Sequence, residues 1–218
     1  VGQLALAYNT ASNNTAVGYQ ALYSNTTGGN STAVGYQALL NSTTANANAA
    51  FGFGVLRQNT TGYANAGFGG QDAAGGTYPT LYSNTTGGYN SAFGICSLNS
   101  NTTGSYNTSV GAFASNSNTT ASQNTAIGYQ AGWGNSTGVA NFYGGYLAGQ
   151  TATGSNNTCL GAYAGYQLTT GIQNTFVGCG YGAGSAVTSG GKNTILGGYS
   201  GNQGGLDIRT ANNYIVLS

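Results

Sequence analysis

Few side chains in this 218-residue chain are suited to acid–base, metal or redox chemistry. The carboxylates are Asp72 and Asp207 and the cations Arg57, Lys192 and Arg209, with no histidine and no glutamate. General acid–base catalysis needs a donor and an acceptor at workable pKa, so no enzyme is expected and no catalytic residue or cofactor is assigned. The three cysteines, Cys96, Cys159 and Cys179, contain no C-x-x-C pair, and without histidine they predict no metal site. Cys159 and Cys179 read as buried repeat positions, expected as free thiols rather than as a disulfide. Gly178 to Gly182 alternates glycine with other residues, but no helix or Lys-Ser/Thr follows, so the string reads as turns and not as a phosphate loop. A net charge of +1 is too small to neutralise a phosphate backbone, which excludes nucleic acid as a partner.

Hydroxyls, amides and aromatic rings are what the chain has in quantity: 29 Thr, 27 Asn and 17 Tyr. Eleven Asn-x-Ser/Thr triplets begin at Asn13, Asn25, Asn30, Asn41, Asn59, Asn84, Asn101, Asn107, Asn118, Asn135 and Asn156. Of these, Asn25, Asn59, Asn84, Asn101, Asn118 and Asn135 fall in apparent exposed turns and are the candidate glycosylation sites. Thr26, Thr43, Thr60, Thr85, Thr102, Thr119 and Thr170 recur at a common turn position as a candidate surface hydroxyl ladder, with a second column from Thr27 to Thr137. Regular threonine ranks suit an ice lattice, so ice binding is one alternative; stacked Thr in a solenoid corner is the other reading. Tyr19, Tyr36, Tyr129 and Tyr146 share one repeat position, which marks a stacked aromatic ladder more than a carbohydrate groove. Trp133, between two glycines, is expected at the surface.

The elements that must position these residues repeat. Asn14-Thr-Ala-Val-Gly-Tyr-Gln-Ala-Leu22 recurs as Ser31 to Leu39 and again as Asn124 to Ala131. The central glycine falls at Gly18, Gly35, Gly52, Gly69, Gly94, Gly111, Gly128, Gly145, Gly161, Gly178 and Gly197, mostly 17 residues apart. A bulky apolar residue precedes it in ten of eleven copies, and Asn stands four residues before it in ten of eleven. That period is too short for a helical hairpin and lacks 3.6-residue apolar spacing; it fits one coil of a β-solenoid or β-roll. The fold class is therefore all-β, a repetitive solenoid of about 11–12 coils forming a single domain over 1–218, with a strand of about five to eight residues per coil. Stacking at about 4.8 Å per coil makes a rod on the order of 50 Å long. The one 25-residue interval predicts a loop insertion over 74–84, around Pro79. No membrane span is expected.

Strand parity bears on assembly. Over Thr15–Leu22 one face carries Thr15, Val17, Tyr19 and Ala21, and the other Ala16, Gly18, Gln20 and Leu22, so both faces hold apolar residues. One packs inside the coil; the second calls for a partner surface, and a symmetric homotrimer is the preferred reading.

The runs Asn14 to Leu22, Asn174-Thr-Phe-Val-Gly178 and Asn193-Thr-Ile-Leu-Gly197 resemble the Asn-Thr-Ala-Val-Gly repeats of phage tail-fibre proteins. They are also similar to the left-handed β-roll heads of trimeric autotransporter adhesins. Tyr214-Ile-Val-Leu-Ser218 resembles the cleavage point before an endosialidase-type intramolecular chaperone, which makes Ser218 a candidate processing end. The resemblance implies a structural shaft or receptor-facing segment of an extracellular or virion-surface fibre, without catalysis. Its partners would be further copies of itself and a host surface glycan or protein receptor. The alternatives are a glycosylated extracellular filament or cell-surface adhesin, and an ice-binding solenoid.

Overall fold

The computed structural model describes residues 2–70 and 79–218. Every full coil contributes one three-residue strand: β1 (Thr15–Val17), β2 (Thr32–Val34), β3 (Ala49–Phe51), β4 (Ala66–Phe68), β5 (Ser91–Phe93), β6 (Thr108–Val110), β7 (Thr125–Ile127), β8 (Phe142–Gly144), β9 (Thr158–Leu160), β10 (Thr175–Val177) and β11 (Thr194–Leu196). A short antiparallel hairpin follows, β12 (Asn202–Gln203) and β13 (Leu206–Asp207), and then β14 (Ile215–Leu217). The strands β1 to β11 and β14 form one parallel sheet in sequence order, in register, so that Thr15 faces Thr32, Ala16 faces Ala33 and Val17 faces Val34. The protein is an all-β parallel solenoid of about 11 coils with a 17-residue period.

The strands are shorter than the expected five to eight residues because the central glycine ends them. Gly35 sits at φ +139°, and a β-carbon there would run into the Gly52 carbonyl of the next coil; only glycine fits so close a backbone approach. Beyond it the chain winds through tight turns in which the second and fourth residues are left-handed, Gln37 at φ 55° and Leu39 at φ 52°. Left-handed backbone costs a non-glycine residue about 1–2 kcal/mol. Here it turns Ala38 and Leu39 both inward, and the Leu39 amide finds the Val55 carbonyl at 3.1 Å in the next coil. Strand parity therefore ends at the glycine: Ala16 points inward, Val17 and Tyr19 are exposed, and Ala21 and Leu22 are consecutive buried residues.

Two apolar clusters fill the rod, with opposite division of volume. In the first half small residues on the strand (Ala33, Ala50, Ala92) face leucines four residues after the glycine (Leu39, Leu56, Leu98). In the second half the strand supplies Tyr143, Phe176 and Ile195, and glycine takes the leucine position at Gly149, Gly165 and Gly184. A β-carbon on Gly149 would strike the Tyr143 ring, so large and small residues have exchanged places within the same cross-section.

Opposite the apolar end, asparagine holds the coil. Along the column Asn48, Asn65, Asn90, Asn107, Asn124, Asn141, Asn157, Asn174, Asn193, each Oδ1 accepts the next member's backbone N–H at 2.8–3.0 Å. Their side-chain amides donate across the interior to a carbonyl that a second column also reaches: Asn90 and Asn101 both donate to Gly104, and Asn107 and Asn118 both to Ala121. Where both columns hold asparagine, the coil is thus braced by two buried amides on one carbonyl.

Of the expected loop over 74–84, residues 74–78 lie outside the described residues, while Pro79–Asn84 run in the coil. Leu81 is buried in the leucine column and its amide bonds Ser97. The hairpin β12–β13 turns through Gly204 and Gly205, both left-handed. It is an interruption of the last coil that the repeat pattern does not announce.

Candidate functional site

The chemistry-bearing residues are few and apart. Asp207 pairs with Arg209 at 2.7 Å, both half exposed, and the guanidinium beside it holds the Asp207 carboxyl below its ordinary value. Asp72 lies outside the described residues. No cluster of three or more His, Cys, Asp or Glu fit for a metal occurs among the described residues, and no helix among them is long and apolar enough to cross a membrane. Cys159 is fully buried, its thiol pushed up to about 12 by burial. Cys179, expected inside, is exposed and is not joined to Cys159, because it follows the glycine corner, where Tyr19 also turns outward.

The six candidate glycosylation residues require correction. Asn25, Asn59, Asn84, Asn101, Asn118 and Asn135 are buried, and they form the second brace column. Their side-chain nitrogens, the atoms that would carry the sugar, donate inward to Gly28, Gly62, Gly87, Gly104, Ala121 and Gly138. The folded coil has no room for a glycan at any of them. Turn composition is ambiguous between an exposed corner and an inward Asn cap, and the inward cap wins here because the corner carbonyls need donors.

The hydroxyl ladder exists in modified form. The Oγ1 atoms of Thr26, Thr43, Thr60, Thr85, Thr102 and Thr119 each donate to the carbonyl one coil on, at 3.0–3.2 Å. Beyond Ser136 the ladder continues as Thr153, Thr169 and Thr188, not Thr170, since the interval from Gly145 to Gly161 is one residue short. These donors are spent along the rod. The second column, from Thr27 to Thr137, is exposed.

The outer strand face carries an apolar stripe. Val17, Phe93, Val110, Ile127, Leu160 and Leu196 are each 37–45% exposed, and the Phe51, Phe68 and Phe93 rings stack between them at 4.7–4.8 Å. Round the glycine corner runs a second stack, Tyr19, Tyr36 and Phe53, at 5.3 and 5.0 Å; Tyr129 and Tyr146 repeat it at 5.5 Å. Tyr163 continues toward Tyr181, whose hydroxyl contact raises the Tyr163 phenol to about 12. Trp133 is exposed as expected. Ser218 takes the glycine position of the last coil, its amide bonded to Leu196 and its hydroxyl accepting the Tyr199 N–H.

A concavity also lies on this surface. Tyr36, Gln37, Phe53, Arg57, Pro79 and Tyr82 enclose about 220 Å³, at a place that no sequence motif marked. Compared with known proteins, the chain matches no family model, no curated protein and no solved structure.

Proposed function

We propose that this solenoid is a structural shaft or receptor-facing segment of an extracellular or virion-surface fibre, assembled as a homotrimer and without catalysis. The observation that carries the reading is the outer strand face, where nearly every coil presents an aliphatic or aromatic residue to solvent along the whole rod. Monomeric proteins rarely leave so long an apolar stripe uncovered, and identical coils offer the same stripe to identical neighbours. The resemblance of the Asn-Thr-Ala-Val-Gly runs to tail-fibre repeats and trimeric adhesin heads supports the same conclusion. So does the near absence of charge: chains with two carboxylates repel one another little when packed side by side.

Native mass spectrometry and light scattering on one sample test the proposal. The expected mass is three times the 21.7 kDa chain, and Ile127→Asp in the middle of the stripe reduces it to that of one chain. A monomer at every concentration would falsify the assembly reading. The exposed threonine column from Thr27 to Thr137 favours a second reading, ice binding, for which thermal hysteresis of the purified protein is the deciding measurement.

A further inference from the structure

We infer that the cleft around Arg57 is a binding site for an acidic saccharide, a pyranose ring bearing a carboxylate. The inference deepens the receptor-facing reading above; the residues named as lining the cleft belong to one chain, so its test does not depend on the trimer.

The cleft arises from omitted side chains. In the column two residues after the central glycine, Gln20 and Gln37 are followed by Gly54 and then Pro79. Gly54 has no side chain, and the Pro79 ring takes the space instead, 2.9 Å from where a Gly54 β-carbon would stand, so that Pro79 lines the cleft there. In the neighbouring aromatic column Gly70 follows Phe53, and a β-carbon at Gly70 would meet nothing within 4 Å. Among the described residues the stack Tyr19–Tyr36–Phe53 therefore ends at Phe53. Inside a stack both faces of a ring are occupied; only a terminal ring offers one to a ligand, and the C–H face of a pyranose is the common partner of such a platform.

Charge supplies the second half of the argument. Arg57 donates from Nη1 to the Tyr82 hydroxyl at 2.7 Å, and its carbon centre lies 5.8 Å from the Tyr82 ring centroid. Its Nε is buried without any hydrogen-bond partner. The one carboxylate that forms an ion pair among the described residues, Asp207, is matched to Arg209. Arg57 is thus a half-buried cation in a mainly aromatic cleft, held in place and, among the described residues, without a carboxylate partner. A carboxylate satisfies a guanidinium better than a neutral acceptor does, through charge-assisted and often paired hydrogen bonds. Gln37 completes the set: its Nε2 donates to Gln20 Oε1 at 2.8 Å, leaving its own Oε1 to accept from a sugar hydroxyl. A mostly apolar concavity with a few convergent polar groups is the general form of a small-ligand site.

Titration calorimetry with the full chain, using tri-galacturonic acid and its methyl-esterified neutral form, tests the assignment. The acidic trisaccharide is expected to bind at least tenfold more tightly than the ester, and more weakly as salt rises. Arg57→Gln is expected to abolish that difference; Phe53→Ala is expected to weaken both sugars at least fivefold. Arg57→Lys, which keeps the charge and the fold, retains part of the preference for the acid. Equal binding of acid and ester, or no binding of either by a chain with an unchanged melting curve, overturns the proposal. Native mass on the same samples reports the trimer separately, so loss of one reading does not disguise loss of the other.

Discussion

At Ser42 the inner asparagine column is interrupted, and two buried atoms are left without partners: Ser42 Oγ and Asn25 Oδ1. From Asn59 to Asn118 this column closes amide to carbonyl, as from Asn84 to Asn59 at 2.8 Å and from Asn101 to Asn84 at 2.7 Å. The serine side chain is too short to span one coil. Ser42→Asn should therefore restore the run and stabilise the protein by about 1–3 kcal/mol, the cost of an unsatisfied buried polar group; chemical denaturation measures it, and a loss of stability refutes the ladder's role. Tyr143 poses the reverse case. Its hydroxyl is buried with no partner, and burial, then the nearby Cys159, holds the phenol well above its ordinary value. Tyr143→Phe removes the orphan group without changing the ring's packing and is expected to raise stability by about 1 kcal/mol.

At the scale of the coil, strand and turn are coupled through shared volume. Tyr143 occupies space that a leucine four residues past the glycine fills in other coils, and Gly149 is the vacancy it needs. Tyr143→Ala alone leaves a cavity and should cost about 3–5 kcal/mol. Gly149→Leu alone drives a side chain into the ring, although its backbone, at φ 56°, is the one Leu39 adopts at 52°. The double variant recreates the packing of the first-half coils and should be less destabilised than the sum by about 0.5–3 kcal/mol. Additive losses in the double-mutant cycle would show that the two positions do not share volume. The same coupling explains why two distinct cores meet inside one uniform backbone: register and period are set by glycine and asparagine, and the remaining positions need only fill a constant cross-section.

For the whole molecule, the scarcity of ionisable groups sets how stability responds to solution conditions. With no histidine or glutamate and two aspartates, no side chain of the protein has an ordinary pKa between about 5 and 8, and the melting temperature should be nearly flat across that range. Alkali acts differently. The Cys159 thiol rises from 9.0 to about 12 in the folded protein, so between those values the unfolded chain binds fewer protons than the folded one, and stability falls as pH rises. A Cys159→Ser variant should lose less stability between pH 9 and 12 than the parent. Salt is expected to matter little, since so few charges are present to be screened. A melting temperature that moves strongly between low and high salt would contradict the account of a rod held by packing and amide ladders.

The repeat alone determined the coil. Glycine every 17 residues, with Asn four before it and a bulky residue one before it, specifies a stacked β architecture, because each residue type recurs where the backbone needs a close approach, an inward cap or an apolar strand side chain. The outer aromatic stacks and the threonine ladder followed from the same arithmetic, with Thr169 replacing Thr170 once a coil one residue short is allowed for. What the spacing leaves undecided is direction. Asn25 and its equivalents turn inward and not toward solvent; Gln20 and Leu22 do not share a face; Cys179 points out while Cys159 points in. Each depends on backbone dihedrals after the glycine, where alternate left-handed residues break the two-residue period that strand parity assumes. The Arg57 cleft lies further still from the linear pattern. It lies where the aromatic column stops at Gly70, between residues of different coils, and only the stacking of those coils brings the Phe53 ring, Pro79 and the cation together.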